Sequence, residues 1–195
     1  LDRLKIDKEV ISTYYEEENL IENYGFDRNH LIQAGMPRYD CIDLSQKPRK
    51  KILYAPTWRR YLIDRKENDW VSDVDGFVNS SFYKSVMRFI NDDRLDKALE
   101  AHGYTLDIQL HPIFKGYNST IRTGSRRVNL ITDDINATDY EIFITDFSSF
   151  VFDFVYLSRK IMYFVPDYDL FKSGMNGYCR LDLPLEDGFG PFVQN

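Results

Sequence analysis

The run IFITDFSSFVFDFVYLSRKIMYFV, residues 142–165, decides the fold. It opens on one short apolar run, IFITD, and closes on another, IMYFV, and the segment between them, SSFVFDFVYLS, has the length of a helix. Continuous apolar runs of this kind mark strands buried on both faces, and two joined through a helix form a parallel βαβ unit. The same rhythm extends outward to ILYA (52–55), YTLDIQLHP (104–112) and VNLIT (128–132). SFYKSVMRFIND (81–92) reads as a helix, and DDRLDKALEAHG (92–103) as another, with Leu95, Ala98 and Leu99 on one face and Gly103 at its end. A long polar loop is expected from the end of ILYA to about residue 79. The class is α/β: a mainly parallel, doubly wound sheet with helices on both faces.

Toward the N-terminus, KEVISTYYEEENLIENY (8–24) has the apolar spacing of an amphipathic helix that Gly25 would end. HLIQAG (30–35) reads as a short strand, GMPRYD (35–40) as a turn, and SQKPRKK (45–51) as a polar linker. Two units are therefore expected, a lead-in over 1–47 and the main domain over 48–195.

The chain has 195 residues, 43% hydrophobic and 29% charged, which excludes disordered, collagen-like and coiled-coil classes. Its 14 Tyr and 14 Phe supply large buried areas for a core. A net charge of −6 argues against a general nucleic-acid binder, although a local basic pocket is compatible with it. No stretch approaches a membrane span and no leader pattern opens the chain. It begins at Leu1 with no Met before Met36, and reads as a piece of a longer protein. Cys41 and Cys179, far apart and outside any Cys-x-x-Cys pair, are expected to be reduced structural thiols of a cytosolic protein.

Open parallel sheets bind ligands outside the carboxyl ends of their strands. Those ends carry Thr57, Trp58 and Arg59 after ILYA, His111-Pro112 after the second strand, and Thr145-Asp146-Phe147-Ser148-Ser149 after IFI. A helix beginning at the serines would present free N–H groups and its dipole to an anion, or Ser148 or Asp146 would merely cap it. Arg59 either reaches a phosphate bidentately or stacks on Trp58 or Tyr61. His111 donates to a phosphate oxygen, or is an ordinary strand-end histidine. Lys115, Arg122, Arg126 and Arg127 form a basic stretch that either steers anions or is simply solvated. Asp73 and Asp75 match a metal-binding acidic pair but lie in an acidic loop and are expected to be solvated. Asp153 would accept a bond from a ligand hydroxyl or from neighbouring backbone. Dinucleotide, P-loop, zincin and nucleophile-elbow motifs are absent.

Taken in order, Gly35-Met36-Pro37-Arg38-Tyr39-Asp40, ILYAPTWR (52–59), LHP (110–112), ITDFSSFVFDF (144–154) and Gly190-Pro191 resemble the CDP-glycerol glycerophosphotransferase family of wall teichoic acid synthesis. The resemblance implies a GT-B-type, Rossmann-like donor-binding lobe in a bacterial transferase. The reaction would move glycerol phosphate, or a related polyol phosphate, from a CDP-activated donor to a lipid-linked polyol-phosphate or glycan acceptor. It implies His111 as the catalytic group contacting the donor diphosphate, with Thr57, Arg59, Pro112, Thr145, Asp146, Ser148 and Ser149 completing the donor site. It further implies no cofactor and no metal, no nucleic-acid partner, and a place at the cytoplasmic face of the membrane, reached through regions outside this chain. Family members also carry a histidine in a Trp-His-Gly-like motif of an N-terminal lobe, acting as base on the acceptor, and this sequence contains no such motif. A UDP-sugar glycosyltransferase lobe and a non-catalytic nucleotide-binding module are the competing expectations.

Overall fold

A computed structural model describes residues 7–66, 69–177 and 184–194, with backbone alone for 64–66, 69–72 and Lys115. Its centre is a six-stranded, wholly parallel sheet with the spatial order β10-β9-β8-β3-β6-β7. These strands are β3 (Lys51–Tyr54), β6 (Thr105–Ile108), β7 (Val128–Leu130), β8 (Ile142–Thr145), β9 (Lys160–Phe164) and β10 (Phe192–Val193). Counted by chain position within this sheet alone, the order is 6-5-4-1-2-3, that of doubly wound nucleotide-binding folds. The chain builds outward from β3 to β6 and β7, then crosses to the other side for β8, β9 and β10. The switch point therefore lies between β3 and β8.

Pleating sends alternate residues to opposite faces, and each face has its own core. Tyr54, Leu106, Ile108 and Ile144 pack with Phe77 of α2 (Val74–Asn79), Phe82, Val86 and Ile90 of α3 (Ser81–Ile90) and Leu99 of α4 (Asp93–His102). Leu53 and Phe143 pack on the other side with Val151 and Phe154 of α5 (Val151–Tyr156) and Phe171 of α6 (Tyr168–Lys172). Asp107 points to that second side and is buried. There it accepts from Lys51 Nζ at 2.6 Å, Tyr140 Oη at 3.0 Å and Asn129 Nδ2 at 3.0 Å, which removes the cost of an unpaired carboxylate.

The expected polar loop after β3 contains a hairpin instead, β4 (Ile63–Lys66) antiparallel to β5 (Asp69–Ser72), followed by α2. Asp73 caps that helix, accepting from the Gly76 N–H at 2.9 Å, so the Asp73/Asp75 pair serves helix geometry. Helices cross over between β3 and β6 and between β8 and β9, whereas β6–β7 and β7–β8 are joined through 3-10 turns.

The lead-in forms a separate two-stranded parallel sheet, β1 (Glu9–Ile11) with β2 (Leu31–Gln33), joined by α1 (Tyr14–Tyr24). Thr13 caps α1, and Gly25 ends it in the left-handed region at φ 69°. Residues 36–41 then dock on α5. Arg38 grips Asp153 through Nε and Nη2 at 3.1 and 2.8 Å, and Tyr39 stacks on Tyr156 at 4.4 Å. The partner of Asp153 is thus a guanidinium, neither of the two acceptor roles expected for it. Cys41 is exposed in this docked segment rather than packed in a core, and Cys179 lies outside the described residues. Among the described residues no helix is long and apolar enough to cross a membrane.

Candidate functional site

The loops leaving β3 and β8 meet at the switch point. They are bound by Asp146, buried to 1% exposure. Its Oδ1 accepts from the backbone N–H of Thr57 at 2.8 Å and of Phe147 at 2.6 Å, while its Oδ2 takes Nη1 of Arg59 at 2.6 Å. Arg59, also 1% exposed, turns its other edge to Asp167 at the end of β9, through Nε at 2.7 Å and Nη2 at 2.9 Å. Nη1 additionally bonds the Thr57 carbonyl at 2.8 Å, and Tyr61 donates to Asp167. The guanidinium lies over Phe82 and Phe147, 4.4 and 5.4 Å from their ring centres.

Electrostatics follow from this burial. Desolvation pulls the Arg59 pKa down, but the two carboxylates outweigh it and hold the guanidinium charged. Burial pushes the Asp167 carboxyl up, and the bonds from Arg59 and Tyr61 overcome that and lower it below the usual range. Arg59 is therefore spent on two internal carboxylates, not extended to a ligand or stacked on Trp58 or Tyr61. Asp146 likewise organises backbone, and Thr145, fully buried, donates to the Ala55 carbonyl at 2.9 Å. These three act behind the ligand edge. The residues that sequence reasoning missed, Asp167 and Tyr61, complete the knot. Asp167 lies three residues past the end of a fourth strand, β9, where the same strand-end rule points.

The groups left without internal partners are different. α5 begins at Val151 with Phe150 as its cap residue, so neither Ser148 nor Asp146 is the helix cap. Ser148 and Ser149 form the turn before it. Ser148 Oγ accepts from Phe150 N–H at 3.2 Å, and the backbone N–H groups of Ser148 and Ser149 have no acceptor among the described residues. Thr57 Oγ1 is buried without a hydrogen-bond partner, directly on the Asp146-bound loop. Such orphaned donors at a switch point suit anionic oxygens.

His111 is exposed on the neighbouring strand end, with its ring 6.4 Å from that of Trp58. Its Nδ1 accepts from the Ile113 N–H at 3.3 Å, which assigns the neutral ring a proton on Nε2, free to donate. Burial lowers its pKa below the ordinary 6.5. Pro112 opens the 3-10 helix that fixes this loop.

The basic stretch separates from the site. Val128, which starts β7, pairs with Leu106 near the start of β6, so Arg122, Arg126 and Arg127 precede the strands at the opposite edge of the sheet. The side chain of Lys115 lies outside the described residues. A cavity of about 240 Å³ lies between α3 and the outer strands β9 and β10, lined by Arg88, Phe89, Met162 and Phe164, and Thr57, His111, Ser148 and Ser149 do not line it. Among the described residues no cluster of three or more His, Cys, Asp or Glu is placed to hold a metal.

The family model described as CDP-Glycerol:Poly(glycerophosphate) glycerophosphotransferase matches residues 3–195. The chain belongs to this family. It is 25% identical over 179 residues to the teichoic acid poly(glycerol phosphate) polymerase of Bacillus spizizenii, covering 86% of this chain and 40% of that one. The fold matches the wall teichoic acid polymerase TagF, with a TM-score of 0.63 and 21% identity over 96% of this chain and 46% of that one. A TagF variant soaked with CDPG gives 0.60 at 20% identity and the same coverage. The UDP-GlcNAc 2-epimerase of Methanocaldococcus jannaschii, in complex with UDP-GlcNAc and UDP, gives 0.51 at 12% identity over 96% of this chain and 50% of that one. The chain thus shares the α/β, mainly parallel-sheet fold of these structures, and spans less than half the length of the polymerases it matches.

Proposed function

We propose that this chain is the donor-binding part of an enzyme that transfers glycerol phosphate from CDP-glycerol to an acceptor in teichoic acid synthesis. The observation that carries this reading is the placement of the free Ser148 and Ser149 N–H groups, the orphaned Thr57 hydroxyl and His111 beyond the ends of the three adjacent strands β8, β3 and β6, in a chain of the glycerophosphotransferase family. A diphosphate laid there meets fixed dipoles that need no reorganisation as charge develops on oxygen.

In the reaction an acceptor hydroxyl oxygen attacks the phosphorus bearing glycerol. The bond from that phosphorus to the CMP oxygen breaks, CMP leaves with the electron pair, and the hydroxyl proton passes to a base. Within this chain His111 touches the diphosphate and donates to its oxygens. The attacking hydroxyl and its base belong to an acceptor-binding lobe outside it, and residues 1–47 are the lead-in to residues 48–195, the donor lobe. The acceptor is a lipid-linked polyol phosphate or glycan at the cytoplasmic membrane face, and the fixed donors at the edge let the reaction proceed without a metal or cofactor.

Calorimetric titration with CDP-glycerol, CDP-ribitol and a UDP-sugar tests the reading. The CDP-polyols are expected to bind more tightly. Tighter binding of the UDP-sugar would assign the lobe to sugar transfer, and no binding of any nucleotide would reduce it to a scaffold.

A further inference from the structure

Resting on that reading, charge at the ligand edge poses a problem. A CDP-polyol brings two negative charges on its diphosphate. The buried knot offers none in return, since Arg59 at +1 against Asp146 and Asp167 at −1 each leaves −1. Burial disfavours the charged form of His111, and Arg122, Arg126 and Arg127 stand at the other edge of the sheet. The free N–H groups are dipoles, not charges.

The next residue along the chain has what the knot lacks. Arg60 is exposed, and among the described residues no carboxylate or ring pairs with its guanidinium. Its position is nonetheless built. The Arg60 backbone N–H donates to Oδ1 of Asn176 at 2.8 Å, and Asn176 is itself 6% exposed. The turn beside it ends in Gly177 at φ 89°, a conformation that favours glycine. A Cβ on Gly177 would stand 2.6 Å from Arg60 Nη1 and 3.2 Å from its Cδ, so the arginine stem lies across bare glycine backbone. Arg59 anchors the same loop from beneath through Asp167, whose own strand leads into α6 and this turn. A guanidinium with a held stem and open donors suits bidentate phosphate recognition.

We propose that Arg60, not Arg59, is the cation that meets the donor diphosphate. Arg59 holds the loop and Arg60 reads the charge.

Titration of the full chain with CDP-glycerol at low and high salt tests this, comparing wild type, Arg60→Gln and Arg60→Lys. Loss of one charge-assisted contact is expected to weaken binding of Arg60→Gln about ten- to a hundredfold at low salt. The salt dependence should flatten with it, because one screened charge pair is gone. Arg60→Lys is expected to keep the salt dependence and lose part of the affinity, and both variants should melt with wild type, as the side chain is exposed. Cytidine alone should bind wild type and Arg60→Gln equally. Unchanged CDP-glycerol affinity in Arg60→Gln, or an equal loss for cytidine, would overturn the assignment while leaving the donor-site reading intact. Failure of wild type to bind CDP-glycerol would overturn both.

Discussion

Replacing Arg59 with Met removes the cation that two buried carboxylates share, and the structure says what that should cost. Asp167 loses both of its guanidinium bonds and keeps Tyr61 and a backbone donor, while Asp146 loses the one on Oδ2 and keeps its two backbone donors. Breaking a buried ion pair by removing one partner costs about 3–5 kcal/mol, and with two partners stranded the upper end, about 5 kcal/mol, is expected. For a domain of this size each kcal/mol moves Tm by about 2–4 °C, so a fall of about 10–20 °C follows. The pH dependence has a definite sign. In the wild type the Asp167 pKa lies below its unfolded value, so its contribution is present above the unfolded pKa and is lost as pH falls through the folded one. Without Arg59 the burial that pushes Asp167 up is no longer outweighed, and its carboxyl prefers to be protonated. The penalty is then greatest near pH 7.5 and relieved on acidification. Calorimetric melts of wild type and Arg59→Met between pH 4.5 and 7.5 should therefore converge toward the acid end. The variant Arg59→Met/Asp146→Asn/Asp167→Asn should recover part of the loss at pH 7.5. A Tm fall below about 3 °C at pH 7.5, or a gap that widens on acidification, would refute the buried-knot reasoning.

Three further outcomes are expected. His111→Ala should weaken CDP-glycerol binding and abolish its pH dependence; in the wild type affinity should rise from pH 8 to pH 6, because the dianion raises a depressed imidazole pKa and favours the charged ring, and a flat wild-type profile would count against the contact. Thr57→Val removes a buried hydroxyl that has no partner, so Tm should rise, by about 1 kcal/mol in stability, while donor affinity falls; a lower Tm would show that the hydroxyl is satisfied in solution. Gly190→Ala would place a Cβ 1.9 Å from the Ile161 carbonyl oxygen, forcing β10 off β9 at about 1–3 kcal/mol, which hydrogen exchange would read as faster amides at Tyr163 and Val165.

The central strands were legible because parallel strands buried on both faces are nearly continuous apolar runs, and ILYA, IFIT and IMYF have no other use for that pattern. The hairpin β4–β5 escaped notice because its sequence, IDRKENDWVS, is too charged to show alternation. The fate of Arg59 depends on Asp167, 108 residues away in sequence, and no local pattern reports whether a guanidinium meets a ligand or an internal carboxylate. The basic stretch was left open between steering and simple solvation for a topological reason: being near the site in sequence says nothing about which end of the sheet a loop occupies. Arg38 and Asp153 lie 115 residues apart, and each taken alone resembles an unremarkable surface charge.

The Arg59 knot also constrains how the protein is made. A ribosome adding about 5–20 residues per second needs roughly 5–20 s to bring Asp167 out after Arg59. Through that interval the guanidinium is better left in water, since Asp146 and Asp167 are the groups that offset its desolvation. The loop after β3 is thus closed by chain synthesised 108 residues later. A nascent chain that stops before Asp167 lacks that closure, and its β3 and β8 loops are held by Asp146 alone.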